Sequence, residues 1–170
     1  MRGLVVVGVD GSPGAVAALD FALGDAARRG ARLRVVTAVA PPEVWPTVYG
    51  PIPVPASPRL LDEITAAARA WVDEAATRLG LSVPEDVAVE VVAASGSPVH
   101  LLLDAADTAD HLVVGHRGRG VVASALLGSV GLGCVLHAHC PVTVVRPVPV
   151  PGPELDPVTA MAVPATAGGG

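Results

Sequence analysis

Between residues 115 and 130 the chain reads Gly-His-Arg-Gly-Arg-Gly-Val-Val-Ala-Ser-Ala-Leu-Leu-Gly-Ser-Val. Gly115 and Gly118 let backbone approach a ligand with no Cβ in between. Gly128, Ser129 and Val130 fall where a helix begins, so N–H groups lacking helical partners face outward beside a hydroxyl. Such a helix start attracts anions, phosphate above all. All 11 basic residues are arginine and none is lysine. Neutralising a bound phosphate therefore falls to backbone N–H groups, Ser129 and a divalent ion, with Ser124, Arg117 and Arg119 as further candidates. The missing amine also excludes a P-loop and Schiff-base chemistry.

A second feature is Asp10-Gly11-Ser12-Pro13, directly after an apolar run. An Asp before Gly-Ser-Pro is a frequent turn former. Its place at a strand end also suits a base or a metal ligand, but no second acid, lysine or His-centred group lies nearby in sequence, which favours a binder over a catalyst. Gly118 to Ala123 satisfies G-x-G-x-x-A, yet a dinucleotide fingerprint belongs after the first strand, with an acid some way downstream. His137, His139 and Cys140 form H-x-H-C, two ligands short of a zinc site and splayed by their spacing. His100 and His111 are expected at surface or satisfied positions. Trp71 reads as core, and Trp45 and Tyr49 either stack on a base or pin their loop.

The surrounding elements alternate. Leu4 to Val9 is a continuous apolar run, as expected of a strand covered on both faces. Ser12 is the expected N-cap and Pro13 the first residue of a helix to Arg29, with Val16, Leu19, Leu23 and Ala26 on one stripe and Gly30 as the stop. Leu33 to Val39 completes a βαβ unit. The proline-rich stretch from Pro41 to Pro58 can continue neither a helix nor a central strand, so it is expected to lengthen a surface loop. Arg59 to Leu79 is a helix stopped by Gly80, Val87 to Val92 a third strand, and Val99 to Ala106 a helix with Ser97 as cap. His111 to Gly115 is a fourth strand. A fourth helix falls within Ala123 to Ala138, where Gly131 and Gly133 let it pack close to the sheet. Val142 to Arg146 is a fifth strand.

This order predicts an α/β fold, a three-layer sandwich around a five-stranded parallel sheet of order 3-2-1-4-5. Ligands in such sheets bind at the carboxyl ends of the strands where the winding reverses, here between strands one and four. The loops after Val9 and Val114 are the ones that carry the unusual residues.

With 170 residues, 51% hydrophobic and 16% charged, the chain has material for one core. The expected organisation is one domain over 1–147 and a disordered Pro/Gly-rich tail over 148–170. A net charge of −5 and few aromatics disfavour nucleic acid. No apolar run approaches a membrane span or a secretory h-region, and two cysteines give no disulfide framework, so a cytoplasmic protein is expected.

Gly115-x2-Gly118-x9-Gly128-Ser129, with Asp10 closing strand one and Cys140-Pro-Val-Thr-Val-Val-Arg-Pro147 closing the domain, resembles the universal stress protein family, in its ATP-binding branch. The resemblance spans Leu4 to Pro147 and implies a Rossmann-like fold of the adenine nucleotide alpha hydrolase type. It implies that Asp10, with Gly11 and Ser12 beside it, borders the nucleoside and that the Val39 backbone meets adenine. Gly115 would lie against the ribose, while Gly118, Gly128, Ser129 and Val130 cradle phosphates with Mg2+ or Mn2+. His116 and Arg117 follow Gly115 at positions where the family varies, and each is a candidate for contact with the terminal phosphate. Dimers of the family often pair through the fifth strand, here Val142 to Arg146. The function implied is ATP binding by a stress-response regulator. The alternatives are a slow ATP hydrolase or nucleotidyl-transfer enzyme, and an interaction module that holds no ATP.

Overall fold

The computed structural model describes residues 3–39, 56–118 and 127–147. Most of the proline-rich excursion with Trp45 and Tyr49, the residues Arg119 and Ser124, and the tail 148–170 lie outside the described residues.

Five strands and four helices alternate along these residues. They are β1 (Leu4–Gly8), α1 (Pro13–Arg29), β2 (Arg32–Val39), α2 (Pro58–Leu79), β3 (Val89–Ser95), α3 (Pro98–Ala106), β4 (His111–Gly115), α4 (Ser129–His137) and β5 (Val142–Val145). The strands form one parallel sheet in the order β3-β2-β1-β4-β5, as the alternation predicts. Alternate residues of the central strands serve two cores, which is why β1 is apolar throughout and β2 and β4 are largely so. Val5, Val7, Leu33, Val35 and Val113 pack with α1 and α2. Leu4, Val6, Val36, Leu112 and Val114 pack with Leu102 and Ala106 of α3 and Cys134 of α4. Each fully buried valine or leucine contributes roughly 1.5–3 kcal/mol.

Local chemistry sets the helix ends. Ser12 and Ser57 accept the N–H groups of Ala15 and Leu60, each followed by proline at the first helical position. Gly30 and Gly80 close α1 and α2 at φ 60° and 64°, the left-handed region where a Cβ is penalised. Ser97 precedes α3 without a side-chain capping bond.

Several boundaries differ from expectation by one residue, and those of β3 by two or three. β3 begins at Val89 and runs on to Ser95, because Ala93, Ala94 and Ser95 pair with Thr37, Ala38 and Val39 although their types carry no strand signal. Val87 precedes the strand and is buried as a core plug instead. β5 ends at Val145. Trp71 is half-buried against the α1–α2 core rather than inside it.

Candidate functional site

A cavity of about 440 Å³ opens at the carboxyl ends of β1 and β4. α1 departs from β1 toward one face of the sheet and α4 follows β4 on the other, so a crevice must open between them. Gly8, Val9 and Asp10 line it from β1, Val114 and Gly115 from β4, and Arg117 and Gly118 from the segment after β4. Gly128, Ser129, Val130 and Gly131 supply the start of α4. The remaining wall is apolar, made of Ala15 of α1, Val36 and Ala38 of β2 and Pro98 and Leu102 of α3.

The loop after β1 is shaped by its own residues. Asp10 Oδ1 accepts the Ser12 N–H at 2.9 Å in an Asx-turn, with Gly11 between them at φ 78°, the left-handed region that favours glycine. Ser12 Oγ accepts from Ala15 N at 3.2 Å and donates to the Arg117 carbonyl at 3.4 Å. The segment after β4 is tied down as well: His116 N donates to the Val145 carbonyl at 2.8 Å and Gly128 N to the His116 carbonyl at 2.8 Å. Gly128 caps α4 without a side chain to return a bond, leaving the first N–H groups of a helix whose opening residues line the cavity without a capping side chain.

The glycines do more than make room for a ligand. A Cβ on Gly115 would stand 2.6 Å from the Gly14 carbonyl carbon, and one on Gly118 would stand 2.7 Å from Asp10 Oδ2. These positions are bare so that the chain can approach itself. Gly131 would push into Leu127, and Gly133 into Val99 of α3 at 2.9 Å, so Gly133 brings α4 close to a helix rather than to the sheet.

The electrostatics of the rim are set by arginine. Burial, then the charges of Arg117 and Arg146, hold His116 below the usual imidazole range, so this ring is neutral near pH 7. Its Nδ1 is buried and makes no hydrogen bond. Asp10 is the one carboxylate among the described residues lining the cavity. Among the described residues, no group of three or more His, Cys, Asp or Glu is placed to hold a metal ion by itself.

Of the residues singled out in the sequence, Asp10, Gly115, Arg117, Gly118, Gly128, Ser129 and Val130 converge on the cavity. Gly11 and Ser12 shape its edge, and the Ser12 hydroxyl is engaged by Ala15 and Arg117. His116 and Val39 are not among the lining residues, and the Val39 carbonyl accepts the Gly96 N–H at 3.0 Å. Sequence reasoning missed Val36, Ala38, Pro98 and Leu102. Their apolar types look like ordinary core, and only the sheet order puts them beside Asp10.

The model of the universal stress protein family matches residues 1–146 of this chain. The chain is similar to universal stress protein Rv2623 of Mycobacterium tuberculosis H37Rv, 36% identical over 164 residues that cover 91% of this chain and 52% of the relative. It is similar to Rv1996 of the same strain, 34% identical over 155 residues that cover 86% and 49%. The chain spans about half the length of these curated relatives. Among solved structures, a universal stress protein in complex with cAMP matches with a TM-score of 0.59 and 28% identity, over 86% of this chain and 98% of that one. No helix among the described residues is long and apolar enough to cross a membrane.

Proposed function

The chain belongs to the universal stress protein family, and on that premise we propose that its cavity binds ATP with Mg2+ or Mn2+, making the protein a nucleotide-dependent regulator in the stress response. The observation that carries this reading is the joint placement of Asp10, Gly118 and the α4 N-terminus around one cavity. The N–H groups of Ser129 and Val130 and the Ser129 hydroxyl take the phosphates, as a helix start does for any phosphate. The base lies on the apolar wall of Ala38, Pro98 and Leu102. The relative in complex with cAMP supports an adenine nucleotide as the class of ligand.

The residues fit a divalent ion that arrives with the ligand. Mg2+ is commonly held by one or two carboxylates together with substrate phosphates, and Asp10 supplies one carboxylate here. The ion would neutralise phosphate charge in a site without lysine. In this reading the chain's own residues bind and orient the nucleotide.

The active unit is proposed to be a cytoplasmic homodimer paired through β5. Leu112 N donates to the Pro141 carbonyl and His116 N to the Val145 carbonyl. By the alternation of a parallel ladder, Val142 and Val144 then turn their N–H and C=O groups away from β4, an open edge that a second copy can extend. The neighbouring helix α4 adds an apolar stripe of Leu132, Val135 and Leu136, exposed by 48%, 47% and 66%. Both cysteines are free thiols, which fits a reducing compartment.

Calorimetric titration of nucleotide-stripped protein with ATP and Mg2+, alongside mass spectrometry of any small molecule released from fresh protein, tests the reading. Saturable heat or a released adenine nucleotide is expected. The absence of both heat and released nucleotide would sink it.

A further inference from the structure

The N-termini of α1 and α4 both face the cavity end of the sheet, and the chain treats them differently. At α1 the Ser12 hydroxyl accepts from Ala15 and donates to the Arg117 carbonyl. A methyl on Gly14 would lie 2.5 Å from that same carbonyl oxygen, and a Cβ on Gly115 would lie 2.7 Å from the Gly14 oxygen. The first turn of α1 and the 115–118 segment thus meet backbone on backbone. One residue beyond Arg117, Gly118 abuts the Asp10 carboxylate.

We propose that Gly14 and Ser12 are positioning residues of this site: the first turn of α1 is a seat for the Arg117 carbonyl, and through it fixes where Gly118 stands against Asp10 and the start of α4. A backbone oxygen in a packed contact cannot swing aside as the tip of a side chain does, so a methyl added at Gly14 displaces the segment itself. The inference rests on the reading of the cavity as a nucleotide site and concerns its phosphate end. The wall proposed for the base is carried by β2 and α3 rather than by the residues of the seat, Ser12 and Gly14.

The test compares Gly14→Ala and Ser12→Ala with Gly24→Ala, a control in the same helix where the added methyl meets only the Arg28 guanidinium at 3.4 Å and Leu79 at 4.0 Å. Affinities for ATP with Mg2+ and for adenosine are measured by calorimetry, and amide exchange across 115–118 is followed in ligand-free protein. Gly14→Ala is expected to weaken ATP by about tenfold or more while holding adenosine within about twofold, and to speed exchange across 115–118. Ser12→Ala should act in the same direction more weakly, and Gly24→Ala not at all. Unchanged ATP affinity in Gly14→Ala overturns the proposal, as does equal weakening of ATP and adenosine, the mark of general damage. If the wild-type protein binds no adenine nucleotide, the reading of the cavity fails on its own. The seat is then judged by exchange: faster in Gly14→Ala supports it, unchanged overturns it. Should Gly14→Ala not fold, Ser12→Ala, which removes a hydroxyl and adds nothing, decides on the same readouts.

Discussion

The α-carbon of Gly118 rests against the carboxylate of Asp10, so close that any side chain at 118 would begin 2.7 Å from Asp10 Oδ2. Two loops more than a hundred residues apart in sequence are thereby held at one distance across the mouth of the cavity. Gly118→Val must push the Asp10 carboxylate out of its place beside this segment. Nucleotide binding should fall by at least about tenfold, a loss of about 1.4 kcal/mol, while far-UV circular dichroism stays that of the parent because Gly118 is exposed and outside the core. Calorimetry on the variant checks this, and a wild-type affinity would remove Gly118 from the site.

A second relationship lies on the far side of α1. Buried His111 bridges Asp25 Oδ2 at 3.1 Å and Thr143 Oγ1 at 2.8 Å, and Arg29 reaches the same carboxylate at 2.7 Å. Burial raises the Asp25 pKa, but hydrogen bonds from Arg29 and His111 and their charges more than offset it, leaving it below the ordinary 3.8. A depressed folded value means that the contribution to stability is present above the unfolded pKa and is lost as pH falls through the folded one. Asp25→Asn should cost about 2 kcal/mol at pH 7. Melting curves taken from pH 7 to pH 3 should show the gap to wild type closing below about pH 4. A gap independent of pH would mean that the charge of Asp25 plays no part.

The thiols should behave unequally. Burial in the core beneath α4 pushes Cys134 up to about 11, and thiolate is the reactive form. Cys140 is half-buried, and burial raises it as well. Brief alkylation of native protein near pH 8 should mark Cys140 slowly and spare Cys134, whereas denatured protein takes two labels. Peptide mapping reads this directly, and native labelling of Cys134 would contradict its burial.

Val144→Pro examines the dimer. The N–H it deletes points away from β4, so the ladder inside the subunit keeps its bonds while the open edge loses a donor. Sedimentation velocity should report a dimer for the parent chain and a monomer for the variant, with binding of nucleotide retained. A variant that still sediments as a dimer would place the interface elsewhere.

The buried parallel sheet was legible because its central strands are covered on both faces and read as largely apolar runs, Leu4-Val-Val-Val being the clearest. Asp10 and the Gly128-Ser129 helix start were legible for a different reason: each ends or begins an element at the switch point. What sequence could not reveal is what depends on distant partners. His111 and Asp25 are 86 positions apart, and nothing local marks either as half of a pair. Gly14 looks like an unremarked helical glycine until Arg117 arrives beside it. The β3 boundary slipped because Ala93 and Ala94 are strand residues by pairing rather than by type.

The Arg117 carbonyl lodges at the head of α1. Its negative end already answers the positive pole of that helix, so the field inside the crevice is lopsided, strong beside α4 and weak beside α1. A guest with a single anionic tail therefore has one way round to lie. A molecule charged at both ends would find a counterpart for only one of them.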